Sequence, residues 1–174
     1  MKKINKILKD YYFPICLILV LSFSRLIPHP PNFTPILAAG IFSGFIFRNF
    51  ILAGFVIIIS TFLADLYLGL FSSMIFVYIS LLITVLLGYH IKDFKLSEII
   101  LCGILGSVSF FIITNFGAWL VHDMYEKDLN GLIESYTLAI PFFRNTLIST
   151  LIYLIFFKFL FNLIIKKKIK KFII

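Results

Sequence analysis

Apolar residues run along this chain in long blocks, and short polar breaks separate the blocks. Read in order, the breaks fall at 28–34, Arg48-Asn49, Ser72-Ser73, Lys92-Asp93-Phe94-Lys95 and a longer polar stretch from Val121 to Thr137. About 20 apolar residues cross the roughly 30 Å of bilayer hydrocarbon. The pattern therefore predicts six membrane-spanning helices, at about 11–27, 35–47, 50–71, 74–91, 96–120 and 141–165. The block from Ile36 to Phe71 is too long for one span, so a turn is expected at Arg48-Asn49. That leaves the second span with only about 13 residues, roughly 20 Å at 1.5 Å per residue. Such a short span must be tilted, half-buried in protein or met by thinned lipid. A short interfacial helix is expected over Leu132–Ile140, with Pro141 opening the last span.

The first break is the most constrained stretch. Arg25-Leu-Ile-Pro-His-Pro-Pro-Asn-Phe-Thr-Pro35 holds four prolines, an arginine, a histidine and an asparagine. Proline fixes φ, gives no backbone hydrogen bond and drives the preceding residue out of the helical region. No helix passes through it, and the segment is expected to be a stiff, extended cap between two spans.

Composition places the chain in a class. It has 174 residues, 61% of them hydrophobic and only 14% charged. Soluble domains are about 45–50% apolar and about 25% charged. The fold class is therefore all-α, a polytopic membrane protein with one transmembrane domain over 1–174. The N-terminal lysines followed by an apolar run resemble a signal peptide, but Arg25 and the proline cap follow in place of a small-residue cleavage site. It reads as an uncleaved first span. Cys16 and Cys102 both lie in apolar runs and read as small buried hydrophobes without metal-type spacing.

The net charge of +8 is distributed, not pooled for nucleic acid. With both termini in the cytoplasm, six spans put thirteen basic residues on the cytoplasmic side: Lys2, Lys3, Lys6, Lys9, Arg48, Lys92, Lys95, Lys158 and the five lysines of 166–171. Arg25, Lys127 and Arg144 fall outside. This bias matches the positive-inside rule and requires an even number of spans. The lysine tail serves as a stop signal, with contact to anionic lipid as the other reading. The expected location is the bacterial inner membrane.

Given that topology, the polar residues of the spans collect in one outer layer. Arg25, His29, Asn32, Asp65, Asn115, Trp119, Arg144 and Asn145 are the expected substrate-binding residues. A charge inside hydrocarbon costs about 2.5–3.5 kcal/mol on insertion scales. Asp65 should therefore face inward and pair with Arg25 or Arg144. Two arginines and one aspartate would leave surplus positive charge for an anionic or hydrogen-bonding ligand. Such a cluster can also be only a structural ion pair. Small residues four apart, Ala39/Ser43 and Gly40/Gly44, suit close helix packing or docking of a second membrane protein. Catalytic, metal and nucleotide signatures are missing from the sequence, so no enzyme activity, cofactor or metal is expected.

Three stretches together, Arg25 to Pro35, Thr114-Asn-Phe-Gly-Ala-Trp119 and Pro141-Phe-Phe-Arg-Asn-Thr146, resemble an uncharacterised family of small bacterial membrane proteins, a domain of unknown function. The architecture is also similar to the substrate-binding subunits of energy-coupling-factor vitamin transporters. That second resemblance implies capture of a vitamin-like small molecule from outside, with a transmembrane coupling subunit and ATPases as partners. In those subunits an Ala-x-x-x-Ala pattern in the first helix docks the partner. Here the nearest small-residue pattern lies in the second span. The rival expectation is a structural or scaffolding protein of the cell envelope, without a ligand pocket. A proton-coupled carrier using Asp65 is a third.

Overall fold

In the computed structural model, the backbone is described over residues 2–173 and the side chains over 12–163. The lysines at 2–9 and 166–171 that carry much of the charge asymmetry lie outside the described side chains. Seven helices follow one another: α1 (Lys2–Leu26), α2 (Ile36–Phe47), α3 (Phe50–Leu68), α4 (Met74–His90), α5 (Leu96–Val121), α6 (Leu129–Leu138) and α7 (Ile140–Ile173). Among the described residues there is no strand. Among the described residues, three helices are long and apolar enough to cross a membrane: Phe50–Leu68, Leu96–Val121 and Ile140–Leu163. Tyr12–Leu26, Ile36–Phe47 and Met74–His90 are apolar but shorter. These features point to a membrane protein.

The breaks expected from the polar positions are where the helices end. Arg48 takes a left-handed φ of 49° and stops α2, and Asn49 caps α3 by accepting the Leu52 N–H at 3.1 Å. Short polar side chains satisfy the orphan N–H groups of a helix start in this way. The short helix expected before Pro141 begins earlier than expected, at Leu129, because the Asp128 carboxylate accepts the Gly131 N–H at 2.8 Å and sets the cap there. Pro141 sits in the first turn of α7, where its missing N–H costs nothing.

Protein surrounds the short helix α2. It packs against α3, α4, α5 and α7, and nine of its twelve residues are buried. Of the options open to a span this short, the fold adopts enclosure by neighbouring helices. The closest approach is to α4. A Cβ on Gly40 would strike Thr84, one on Gly44 would strike the Val85 carbonyl, and one on Gly88 would strike the Ile41 carbonyl. Three glycines on two helices thus let the backbones touch, as in membrane bundles where small residues replace the hydrophobic drive between helices. Gly40 and Gly44 are spent on this internal contact, and Ala39 and Ser43 are fully buried too, so the small-residue pattern lies inside the bundle.

Arg48 closes the far end of α4. Its guanidinium donates to the carbonyls of Tyr89 (3.4 Å), Ile91 and Lys92 (2.7 Å), and stacks 4.7 Å over the Phe45 ring. These are carbonyls at the end of α4, the groups a helix C-terminus leaves unsatisfied. Phe94, fully buried, stacks on Phe45 at 4.5 Å, and Lys158 of α7 donates to its carbonyl at 2.6 Å. The α4–α5 turn is thereby tied to α2 and α7.

Candidate functional site

The other end of the bundle holds the proline segment and one buried ion pair. Arg25 is in the last turn of α1, and Asp65 stands one turn before the end of α3. Nη1 of Arg25 lies 2.8 Å from Oδ1 of Asp65 and also donates to the Thr61 carbonyl at 3.2 Å. The second carboxylate oxygen accepts the Tyr78 hydroxyl of α4 at 3.0 Å. Asp65 is 1% exposed, so both its oxygens need partners, and two helices, α1 and α4, supply them. A turn further into α1, Ser22 donates to the Ser60 carbonyl at 2.9 Å and ties α1 to α3 again.

A cavity of about 130 Å³ adjoins this pair. Its polar wall is Arg25, His29, Asn32, Thr34, Thr61 and Thr146; its apolar wall includes Leu37, Val77, Leu81 and Phe110. Asp65 and Tyr78 do not line it. Asp65 and the Thr61 carbonyl hold Nη1 of Arg25, and Tyr78 in turn holds Asp65, while the rest of the guanidinium makes no hydrogen bond among the described residues. A second cavity of about 70 Å³ shares Asn32, Phe110 and Thr146 with the first and extends to Thr114, Asn115 and the rings of Phe111, Phe142 and Phe143.

The proline segment contributes His29, Asn32 and Thr34 to the first cavity and Asn32 to the second, and it is not extended throughout. The Phe33 N–H donates to the Pro30 carbonyl at 2.9 Å, with Pro31 and a left-handed Asn32 (φ 61°) between them. Proline at the second place and asparagine at the third are what a type II turn requires. The turn is pinned to α7: Asn145 Nδ2 donates to the Pro31 carbonyl at 3.0 Å, Ser149 Oγ to the Asn32 carbonyl at 3.5 Å, and the Phe33 and Tyr153 rings meet edge-on at 6.4 Å.

The eight residues expected to form the site thus divide. Arg25, His29 and Asn32 line the first cavity, and Asn32 and Asn115 line the second. The Asn115 amide donates to its own helix, to Phe111 at 2.7 Å. Asp65 supports Arg25, and Asn145 holds the cap. Arg144 is exposed, lines neither cavity and has no ion pair among the described residues, so only one arginine meets Asp65. Arg144 adds no second arginine to the Asp65 pair or to the lining of either cavity. Trp119 donates from Nε1 to the Glu126 carbonyl at 2.8 Å, and Lys127 ties the Trp119 and His122 carbonyls to the same loop. Trp119 orders that loop and lies outside both cavities.

Sequence reasoning missed Thr61, Thr146 and Tyr78. Threonine in a span carries no signal of its own, since its hydroxyl can return to its own helix, as Thr61 does to Ile57 at 2.8 Å. Tyr78 reads as one more aromatic of the membrane interface. Its position thirteen residues after Asp65, across a helix turn, was the available hint.

The family model described as a family of unknown function (DUF6580) matches residues 5–172. Neither the curated proteins nor the solved structures give a match. Nearly the whole length is covered, from α1 through the cavities to α7, and the chain belongs to this family of unknown function, DUF6580.

Proposed function

We propose that this protein is a substrate-binding or transport protein of the bacterial inner membrane, with six spans and both termini in the cytoplasm, that takes a small molecule from outside. The observation that carries the reading is the first cavity. Polar and apolar side chains line it together, and the cap is fastened to α7 by two side chains. A few convergent polar groups in an otherwise apolar pocket are the usual form of a small-ligand site.

Size narrows the ligand. Drug-sized molecules use pockets of about 300–1,000 Å³, whereas a cavity of about 150 Å³ admits a benzene ring. The cavity here, about 130 Å³ with about 70 Å³ adjoining, suits a molecule of about one ring. The remaining N–H groups of Arg25 favour a carboxylate or carbonyl at one end of it. A vitamin-like micronutrient of that size is the proposed cargo, and a coupling subunit with ATPases is the proposed partner.

The test is thermal stabilisation of the purified full chain by a panel of single-ring monocarboxylates and their amides. At 100 times the dissociation constant, a true ligand adds about 2.7 kcal/mol, a shift on the order of 5–10 °C for a chain of this length. Val77→Phe, which fills the cavity, should abolish the shift, and Arg144→Ala should keep it. Uniform failure of the panel, or a shift that survives Val77→Phe, counts against the site.

A second reading, a scaffold of the cell envelope, is favoured by one feature. Asp65 is already satisfied by Arg25 and Tyr78 and does not reach the cavity. On that reading the pair serves only to join α1, α3 and α4, and no small molecule stabilises the protein.

A further inference from the structure

At the end of the bundle away from the proline cap, an open groove of about 420 Å³ runs between the last turn of α4 and the first turns of α5. Leu86, Leu87, Leu101 and Cys102 make it apolar, and Lys92 and Glu98 stand in its wall. Lys92 is exposed and Glu98 half-buried. Other described charges around the α4–α5 turn are engaged. Lys95 pairs with Asp93 at 3.1 Å, while Arg48 and Lys158 donate to carbonyls of the α4–α5 turn. Lys92 and Glu98 are different: among the described residues neither has an ion-pair partner, and they do not pair with each other. One lysine and one glutamate thus flank a largely apolar trough, with the His90 imidazole also in its lining, where α4 ends and the polar turn begins.

We propose that this groove seats one phospholipid with a primary-amine headgroup. Its phosphate meets Lys92, its ammonium meets Glu98, and an acyl chain lies along Leu86, Leu87 and Leu101. The charge pattern selects this occupant. A purely anionic headgroup satisfies Lys92 but sets a negative charge against Glu98. A choline headgroup carries both charges but has no N–H to donate to the carboxylate. Headgroup pockets between helices usually rely on basic residues alone; the half-buried Glu98 makes this one different.

The test is native mass spectrometry of the full chain released from mixed micelles of phosphatidylethanolamine, phosphatidylcholine and phosphatidylglycerol in equal amounts. The expected result is a single phosphatidylethanolamine adduct, favoured about fivefold over each competitor, the order of one well-placed ion pair. Glu98→Gln should bring phosphatidylethanolamine and phosphatidylglycerol within about twofold of each other. Leu101→Trp should remove the adduct while leaving the circular dichroism unchanged. Three results would overturn the proposal: phosphatidylglycerol bound as well as phosphatidylethanolamine by the unaltered chain, a preference that survives Glu98→Gln, or a dimer with no retained lipid.

Discussion

Asp65 and Arg25 show how a single buried charge organises its surroundings. The side chain of Asp65 is 2% exposed and that of Arg25 is 20% exposed. Removing one partner of a buried pair costs about 3–5 kcal/mol, because the other is left uncompensated. Arg25 keeps some contact with water, so Asp65→Asn is expected to cost less, roughly 2–3 kcal/mol. Arg25→Ala strands the more deeply buried charge and should cost more. The double variant should be less damaging than the sum of the two, and a double-mutant cycle on thermal unfolding in detergent measures that coupling. Additive losses would mean that the pair contributes nothing as a pair. Tyr78→Phe removes one charge-assisted hydrogen bond and should cost about 1.5–3 kcal/mol. The need for a partner was legible in the sequence, since a lone aspartate in an apolar run cannot stay unpaired. Which arginine answers it was not, because the sequence pattern puts Arg25 and Arg144 at similar distances from the ends of their apolar runs and says nothing about which way each helix is turned.

Helices and their joints tell a related story. The ends of α2, α3, α4 and α5 fall within three residues of the expected breaks, since polar pairs and caps are local signals. The burial of α2 followed only as one option among three, because hydropathy reports length and says nothing about neighbours. The role of Gly88 was invisible: a glycine in an apolar run marks a close approach only once its opposite, the Ile41 carbonyl, is known. Overpacking a tight core contact costs about 1–3 kcal/mol or more, so Gly88→Ala and Gly44→Ala should sharply lower thermal stability and yield of folded protein. Gly54→Ala is the control. Its Cβ would meet only the end of the flexible Leu82 side chain at 3.0 Å, which can move aside. Equal losses at Gly54 and Gly88 would contradict the α2–α4 contact. The proline cap was legible as a helix break, yet its turn at Pro31-Asn32 was not, since asparagine reaches left-handed φ without any sequence requirement.

The whole molecule joins these parts into a bundle with two distinct ends. One end carries the cap, the Arg25–Asp65–Tyr78 link and the two cavities. The other carries the capped α4–α5 turn and the open groove. On the proposed topology the first end lies outside and the second in the cytoplasm. A cysteine at position 29, in a chain whose Cys16 and Cys102 are replaced by alanine, should react with a membrane-impermeant maleimide in intact cells. A cysteine at position 95 should react only after the membrane is opened, and the reverse pattern would invert the topology. The most decisive experiment is mass spectrometry of the small molecules that co-purify with the full chain, compared with those from Val77→Phe. A cavity that holds cargo predicts a compound of about one ring, carrying a carboxylate or carbonyl, that is enriched with the unaltered chain and lost from the variant. Identical small-molecule contents in the two preparations would contradict a binding role and leave the capped end as a structural joint.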